Sequence, residues 1–150
     1  MTNVEVATME DLEGICDLES RVFSEIWHKT SIENSIAKDD ITVLVARDLG
    51  KVVGYMIYYH IVDEGEIMRV AVDPAYRRKG IARSILNTMI ERGPEESLID
   101  YSLEVRESNE AAIALYHSFD FTIEGKRRAY YRNPTEDGLI MWRWGDRQEG

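Results

Sequence analysis

The chain has 150 residues, 44% hydrophobic and 31% charged, which fits one soluble globular domain spanning residues 1–150. No stretch approaches the roughly 20 apolar residues of a membrane span, and the opening MTNVEVATMEDLEG lacks the basic start and apolar core of a secretory signal. The formal net charge of -10 argues against general nucleic-acid binding, which rests on phosphate contacts, and suits a cationic partner.

In chain order, residues 3–7 alternate as a short strand. Thr8 then opens a helix, with Asp11 in place of the Glu or Gln of a capping box, and that helix ends near Val22. Cys16 falls on its apolar stripe with Leu12, Ile15 and Leu18 and reads as a core residue. As the only cysteine it excludes an internal disulfide and fits a reducing cytoplasm. FSEIWHKTS is a loop, and a shorter helix follows Thr30 or Ser31. ITVLVARD and KVVGYMIYYHIV are strands of a hairpin turning at Leu49-Gly50. Glu66 to Val72 forms a third strand after Gly65. A helix runs to about Glu91 and is stopped by Arg92-Gly93-Pro94. LIDYSLEV is a strand, NEAAIALYHSF a helix, and the tail holds two strands broken near Asn133 to Gly138. This order predicts a mixed α/β sheet with helices on both faces.

The stretch VDPAYRRKGIARSILNTMI sets Arg77, Arg78, Lys79 and Arg83 around Gly80, between a buried strand and a helix. Cations at a helix start oppose its dipole, so four of them call for an anionic ligand. Gly80 and Ala82 leave the backbone open to one, and a phosphate-bearing ligand is expected. Neither G-x-x-x-x-G-K-[ST] nor G-x-G-x-x-G is present, which argues against a nucleotide triphosphatase or a dinucleotide fold. His28, His60 and His117 lack metal-ligand spacing, and no metal is assigned.

VAVDPAYRRKGIARSIL resembles the acetyl-CoA motif of the GCN5-related N-acetyltransferases (GNAT), Q/R-x-x-G-x-G/A, here Arg77 to Ala82. LEVRESNEAAIALYHSFDF resembles the family's L-x-V-x-x-x-N-x-x-A-x-x-L-Y-x-x-x-G-F stretch, with Asp120 in place of Gly. YYRNPTEDGLIMW is similar to the Y-Y-x-D-G-x-x-M hairpin of protein N-terminal acetyltransferases. The likeness spans nearly the whole chain. It is strongest to RimI-like ribosomal-protein alanine N-acetyltransferases and to archaeal and eukaryotic N-terminal acetyltransferase catalytic subunits. It implies a GNAT fold, with a largely antiparallel sheet of about seven strands flanked by four helices.

The resemblance further implies acetyl-CoA held by Arg77, Arg78, Lys79, Gly80, Ile81, Ala82 and Arg83, with Asn109 contributing. The pantetheine arm would pair with the backbone of Val70, Ala71 and Val72. Glu104 matches the family's general base and Tyr116 its general acid, while Glu66 competes with Glu104 as base. Glu25 sits where N-terminal acetyltransferases place a substrate-orienting glutamate, and Tyr130 and Tyr131 match a peptide-gripping pair. Lys126, Arg127 and Arg128 read as a solvated strand face. The implied activity is cytoplasmic N-α-acetylation of protein N-termini, with the ribosome or an auxiliary subunit as conceivable partners and no membrane or direct nucleic-acid contact. A small-amine or lysine acetyltransferase, and a non-catalytic acyl-CoA-binding module, are the alternatives.

Overall fold

The computed structural model describes residues 2–146. Two apolar runs explain its centre. Strands β2 (Ile41–Asp48) and β3 (Lys51–Ile61) are almost continuously apolar because both faces of the sheet are covered. Val43, Val45, Tyr55 and Ile57 face one layer, with α1 (Leu12–Val22) and α2 (Lys29–Ala37). Leu44, Ala46, Met56 and Tyr58 face the other, with α3 (Ile81–Glu91) and α5 (Glu110–His117). One-turn α4 (Gly93–Glu96) follows α3.

The remaining strands are β1 (Thr2–Val6), β4 (Glu64–Val72), β5 (Asp100–Arg106), β6 (Thr122–Tyr131) and β7 (Glu136–Arg143). The sheet order is β1-β2-β3-β4-β5-β7-β6, antiparallel except for β4 beside β5. The β2–β3 turn uses Leu49 and Gly50, with φ of 52° and 81°, as a two-residue turn of this hand requires.

Several boundaries differ from the sequence reading. Residues 9–11 form a 3-10 turn before α1, and the expected capping box closes on it: Thr8 N–H donates to Asp11 Oδ2 at 2.9 Å. Asp rather than Glu suits this site because Arg47 also donates to both Asp11 oxygens, at 2.9 and 2.6 Å. Helix α2 starts at Lys29, two or three residues early, with His28 rather than Thr30 or Ser31 at its cap. Pro94 stops α3 but also starts α4, consistent with proline's fitness for a first helical turn. Strand β4 begins at Glu64 and includes Gly65. That glycine is there for packing, since a Cβ would lie 2.6 Å from the Tyr101 ring.

Candidate active site

Strands β4 and β5 pair from Glu64↔Asp100 to Ile67↔Leu103 and then part. Beyond that point β4 pairs only with β3, and β5 only with β7. The register of β4 against β3 slips at Met68, a bulge that bends the strand where the split opens. The gap is a cleft of about 710 Å³. Its β4 wall, Val70 to Val72, presents a strand edge with no neighbour on the β5 side, which an amide-bearing chain can join by backbone hydrogen bonds.

At the end of β4, Asp73 caps a 3-10 turn over Pro74–Tyr76 by accepting from Ala75 N–H at 3.0 Å. That bond, then Arg21 and Lys51 nearby, outweigh burial and hold its carboxyl below the ordinary value. The chain next passes through Arg78 and Gly80, with φ of 66° and 76°, into α3, whose start has no side-chain cap. The first N–H groups of α3 are therefore left for an external acceptor. A Cβ on Gly80 would meet no protein atom within 4 Å, so glycine's role here is its left-handed backbone and the room left outside. Ile81 sends its side chain into the core, leaving only its backbone for a ligand. Lys79 lies 5.2 Å from the Tyr76 ring centroid and Arg83 5.3 Å from that of Phe119.

The opposite wall carries Glu104 on β5, and Asn109 and Tyr116 from α5. Asn109 caps α5, its Oδ1 accepting from Ala112 N–H at 3.2 Å. Asp120, at φ 68°, ends α5 in the left-handed conformation where glycine is commonest, so the fold accommodates this departure. Tyr116 is buried against Phe121, and burial pushes its hydroxyl up to about 12. Glu104 Oε1 forms an ion pair with Arg127 Nε at 2.9 Å, the Glu104 carboxylate raises the nearby Tyr130 hydroxyl, and Oε2 is buried with no hydrogen-bond partner. Glu66 stands beside Ser102, two residues before Glu104, and does not line the cleft.

The mouth is built by two loops. The α1–α2 loop is held from below by Glu19, a buried carboxylate that accepts from Arg69 Nη2 at 2.5 Å, Trp27 N–H at 2.8 Å and the Tyr55 hydroxyl. Arg69 Nη2 also donates to the Glu25 carbonyl at 2.6 Å, and its guanidinium lies 3.6 Å from the Phe23 ring centroid. The β6–β7 hairpin is held by Arg106, which donates to the carbonyls of Arg132 and Pro134 at 2.7 and 2.9 Å. Tyr130 and Tyr131 meet edge to face at 5.0 Å on this hairpin. Asn133 Nδ2 donates to Glu25 Oε1 at 3.1 Å, joining the two loops across the opening.

The structure thus gathers Val70, Ala71, Val72, Arg77, Glu104, Asn109, Tyr116, Glu25, Tyr130 and Tyr131 around one cleft. Arg78 to Arg83 flank it as a separate cradle. Sequence reading missed Glu19, Arg69 and Arg106; it read Arg127 as part of a solvated strand face, and Arg127 is exposed while also pairing with Glu104. Two of these had a signal. Glu19 lies four residues after Ile15 on the buried stripe of α1, and Arg69 interrupts an apolar strand.

A splayed sheet with an open strand edge leading to an uncapped helix start defines a coenzyme A-dependent acyltransferase. Residues 12–121 match the model of the "Acetyltransferase (GNAT) family". The chain belongs to the GNAT family, whose members use acetyl-CoA, and is an N-acetyltransferase. It is 31% identical over 138 residues to the [Ribosomal protein bS18]-alanine N-acetyltransferase of Escherichia coli K12, covering 92% of this chain and 91% of that one. It is 33% identical over 144 residues to the N-alpha-acetyltransferase RimI of Mycobacterium tuberculosis, covering 91% and 88%. The crystal structure of the ribosomal-protein-S18-alanine N-acetyltransferase from Escherichia coli superposes with a TM-score of 0.91 at 28% identity, covering 99% of this chain and 97% of that one. Ard1 from Thermoplasma volcanium shares the fold, with a TM-score of 0.86 at 22% identity over 97% of this chain and 99% of that one.

Proposed function

We propose that this protein is a cytoplasmic N-α-acetyltransferase that acetylates protein N-termini, a ribosomal protein among the candidate substrates. The observation that carries this is a carboxylate with one buried, unpartnered oxygen, Glu104 Oε2, in a cleft walled by an open strand edge and closed over by two loops. The named relatives that act on the alanine terminus of bS18 support the choice of a protein α-amine. Among the described residues no helix is long and apolar enough to cross a membrane.

The residues divide the work. Acetyl-CoA, when bound, supplies the thioester carbon that the amine attacks. The N–H groups and cations of Arg77 to Arg83 hold its pyrophosphate, and the β4 edge at Val70 to Val72 aligns its amide-bearing arm. The same edge offers N–H donors to the carbonyl oxygen as negative charge develops on it. Glu104 takes a proton from the substrate's ammonium, directly or through water, and so frees the nitrogen lone pair that attacks. Glu66 lies beside the cleft rather than on it, which favours Glu104 as the nearer base. Tyr116, which lines the cleft and is kept protonated by burial, would supply a hydrogen-bond donor to the departing sulfur. At about 12 against a thiol near 8.5, full transfer is uphill, so the phenol stabilises the developing thiolate and shares its proton only as the bond breaks. Glu25, Tyr130 and Tyr131 orient the first residues of the peptide.

The test is acetyl-CoA turnover on peptides differing in their first residue, beside spermidine. N-terminal peptides are expected to be the better substrates. Faster turnover of spermidine than of every peptide would replace this reading with the small-amine one.

A further inference from the structure

Glu104 is unevenly dressed. Oε1 is ion-paired with Arg127 Nε at 2.9 Å, the Tyr130 hydroxyl stands beside the same carboxylate, and Oε2 is shielded from water with no hydrogen bond closed to it. Arg127 comes from β6, the edge strand, where pairing with β7 is broken between Arg127 and Tyr131. That irregularity brings the Tyr130 hydroxyl to the same carboxylate, which raises it above its ordinary value, and the Arg127 guanidinium lies 5.5 Å from the Tyr130 ring centroid. Lys126, beside it, is committed elsewhere, to Glu107 at 2.9 Å. One strand irregularity therefore brings a cation and a phenol to one side of the carboxylate.

We propose that Arg127 is a positioning residue. By holding Oε1 it fixes the rotation of the Glu104 carboxylate, so that Oε2 is the oxygen left to accept the amine proton. This rests on the reading of Glu104 as base. A carboxylate free to rotate would spend part of its time turned away from the amine, and preorganisation of the acceptor is lost without any loss of charge on the acceptor itself. The guanidinium side chain is 56% exposed and Glu104 keeps 23% of its own side chain exposed, so losing this partly solvated pair should change fold stability little.

The experiment compares Arg127→Gln, Arg127→Lys, Glu104→Gln and the Arg127→Gln/Glu104→Gln double variant, all with a peptide substrate. Arg127→Gln should lower kcat on the order of tenfold, as expected when an acceptor is no longer held in its reactive orientation, with the acetyl-CoA KM and melting temperature little changed. Arg127→Lys should recover part of the loss. In the Glu104→Gln background, Arg127→Gln should cost nothing further, because the group it positions is gone. Equal losses in both backgrounds would overturn the inference, as would a raised kcat in Arg127→Gln, which would show the guanidinium merely occupying the amine's place. Glu104→Gln at the normal rate would overturn both the base reading and this one. A slow Glu104→Gln beside a normal Arg127→Gln would overturn this one alone.

Discussion

Replacing Arg69 by Met should both weaken the fold and loosen the substrate mouth. Glu19 is 1% exposed and depends on Arg69 for charge compensation, the other partners being the Trp27 N–H and the Tyr55 hydroxyl. Removing one member of a buried pair costs about 3–5 kcal/mol, because the other charge stays buried. Met keeps part of the contact with Phe23 but not the donors. For a chain of this size each kcal/mol lowers the melting temperature by about 2–4 °C, so a fall of about 6–20 °C is expected. Urea unfolding followed by tryptophan fluorescence, with calorimetry, measures both quantities. The double variant Glu19→Gln/Arg69→Met should recover much of the loss, since no bare charge remains. Arg69→Met also loses the bond to the Glu25 carbonyl, so the peptide KM should rise while the acetyl-CoA KM holds. A loss below about 1 kcal/mol in the single variant would refute the compensation argument.

Gly80→Glu should abolish acetyl-CoA binding by calorimetry, since it adds bulk and negative charge at the cradle and forces a side chain to φ 76°; near-normal affinity would remove the cradle assignment. Tyr116→Phe should keep cofactor affinity and lower kcat, because it deletes the donor and preserves the ring; an unchanged chemical step in rapid-quench kinetics would return Tyr116 to a packing role. Burial raises the hydroxyls of Tyr101 and Tyr116 to about 12 from an ordinary 10. Their contribution to stability is full below pH 10 and is lost as pH rises toward 12, so denaturant midpoints should fall across that window, less steeply in Tyr116→Phe, where Tyr101 and the other buried tyrosines remain.

The layered fold was legible because periodicity reports burial directly. Alternation in β1 and continuous apolarity in β2 and β3 distinguish a half-covered edge strand from strands covered on both faces. Helix starts were less legible. Thr30 and Ser31 are better caps by type than His28, yet the chain entering from the Arg69-anchored loop decides where α2 begins. The cradle could be read from Arg77 to Arg83 alone because it is contiguous in sequence. The residues that organise the rest of the site are not. Arg127 reaches Glu104 through an irregularity in β6, and Arg106 braces a hairpin about 28 residues away, relations that no local pattern carries. The resemblance supplied Glu104, Tyr116 and the tyrosine pair, whereas their partners came only from the fold.

The central claim is that the α-amine of a protein is the acceptor. A peptide α-amine has a pKa near 8 and is appreciably neutral at pH 7, whereas a lysine amine near 10.4 is neutral in fewer than about one molecule in a thousand. A carboxylate base, with the mouth closed over by Glu25, Asn133 and the Tyr130–Tyr131 hairpin, therefore favours the former. The most direct measurement is mass spectrometry of acetyl transfer to one peptide with an internal lysine, offered with its terminus free and with it blocked. The free peptide should be acetylated at its terminus, far ahead of any modification of the blocked one. Comparable modification of the lysine in the blocked peptide would contradict the assignment.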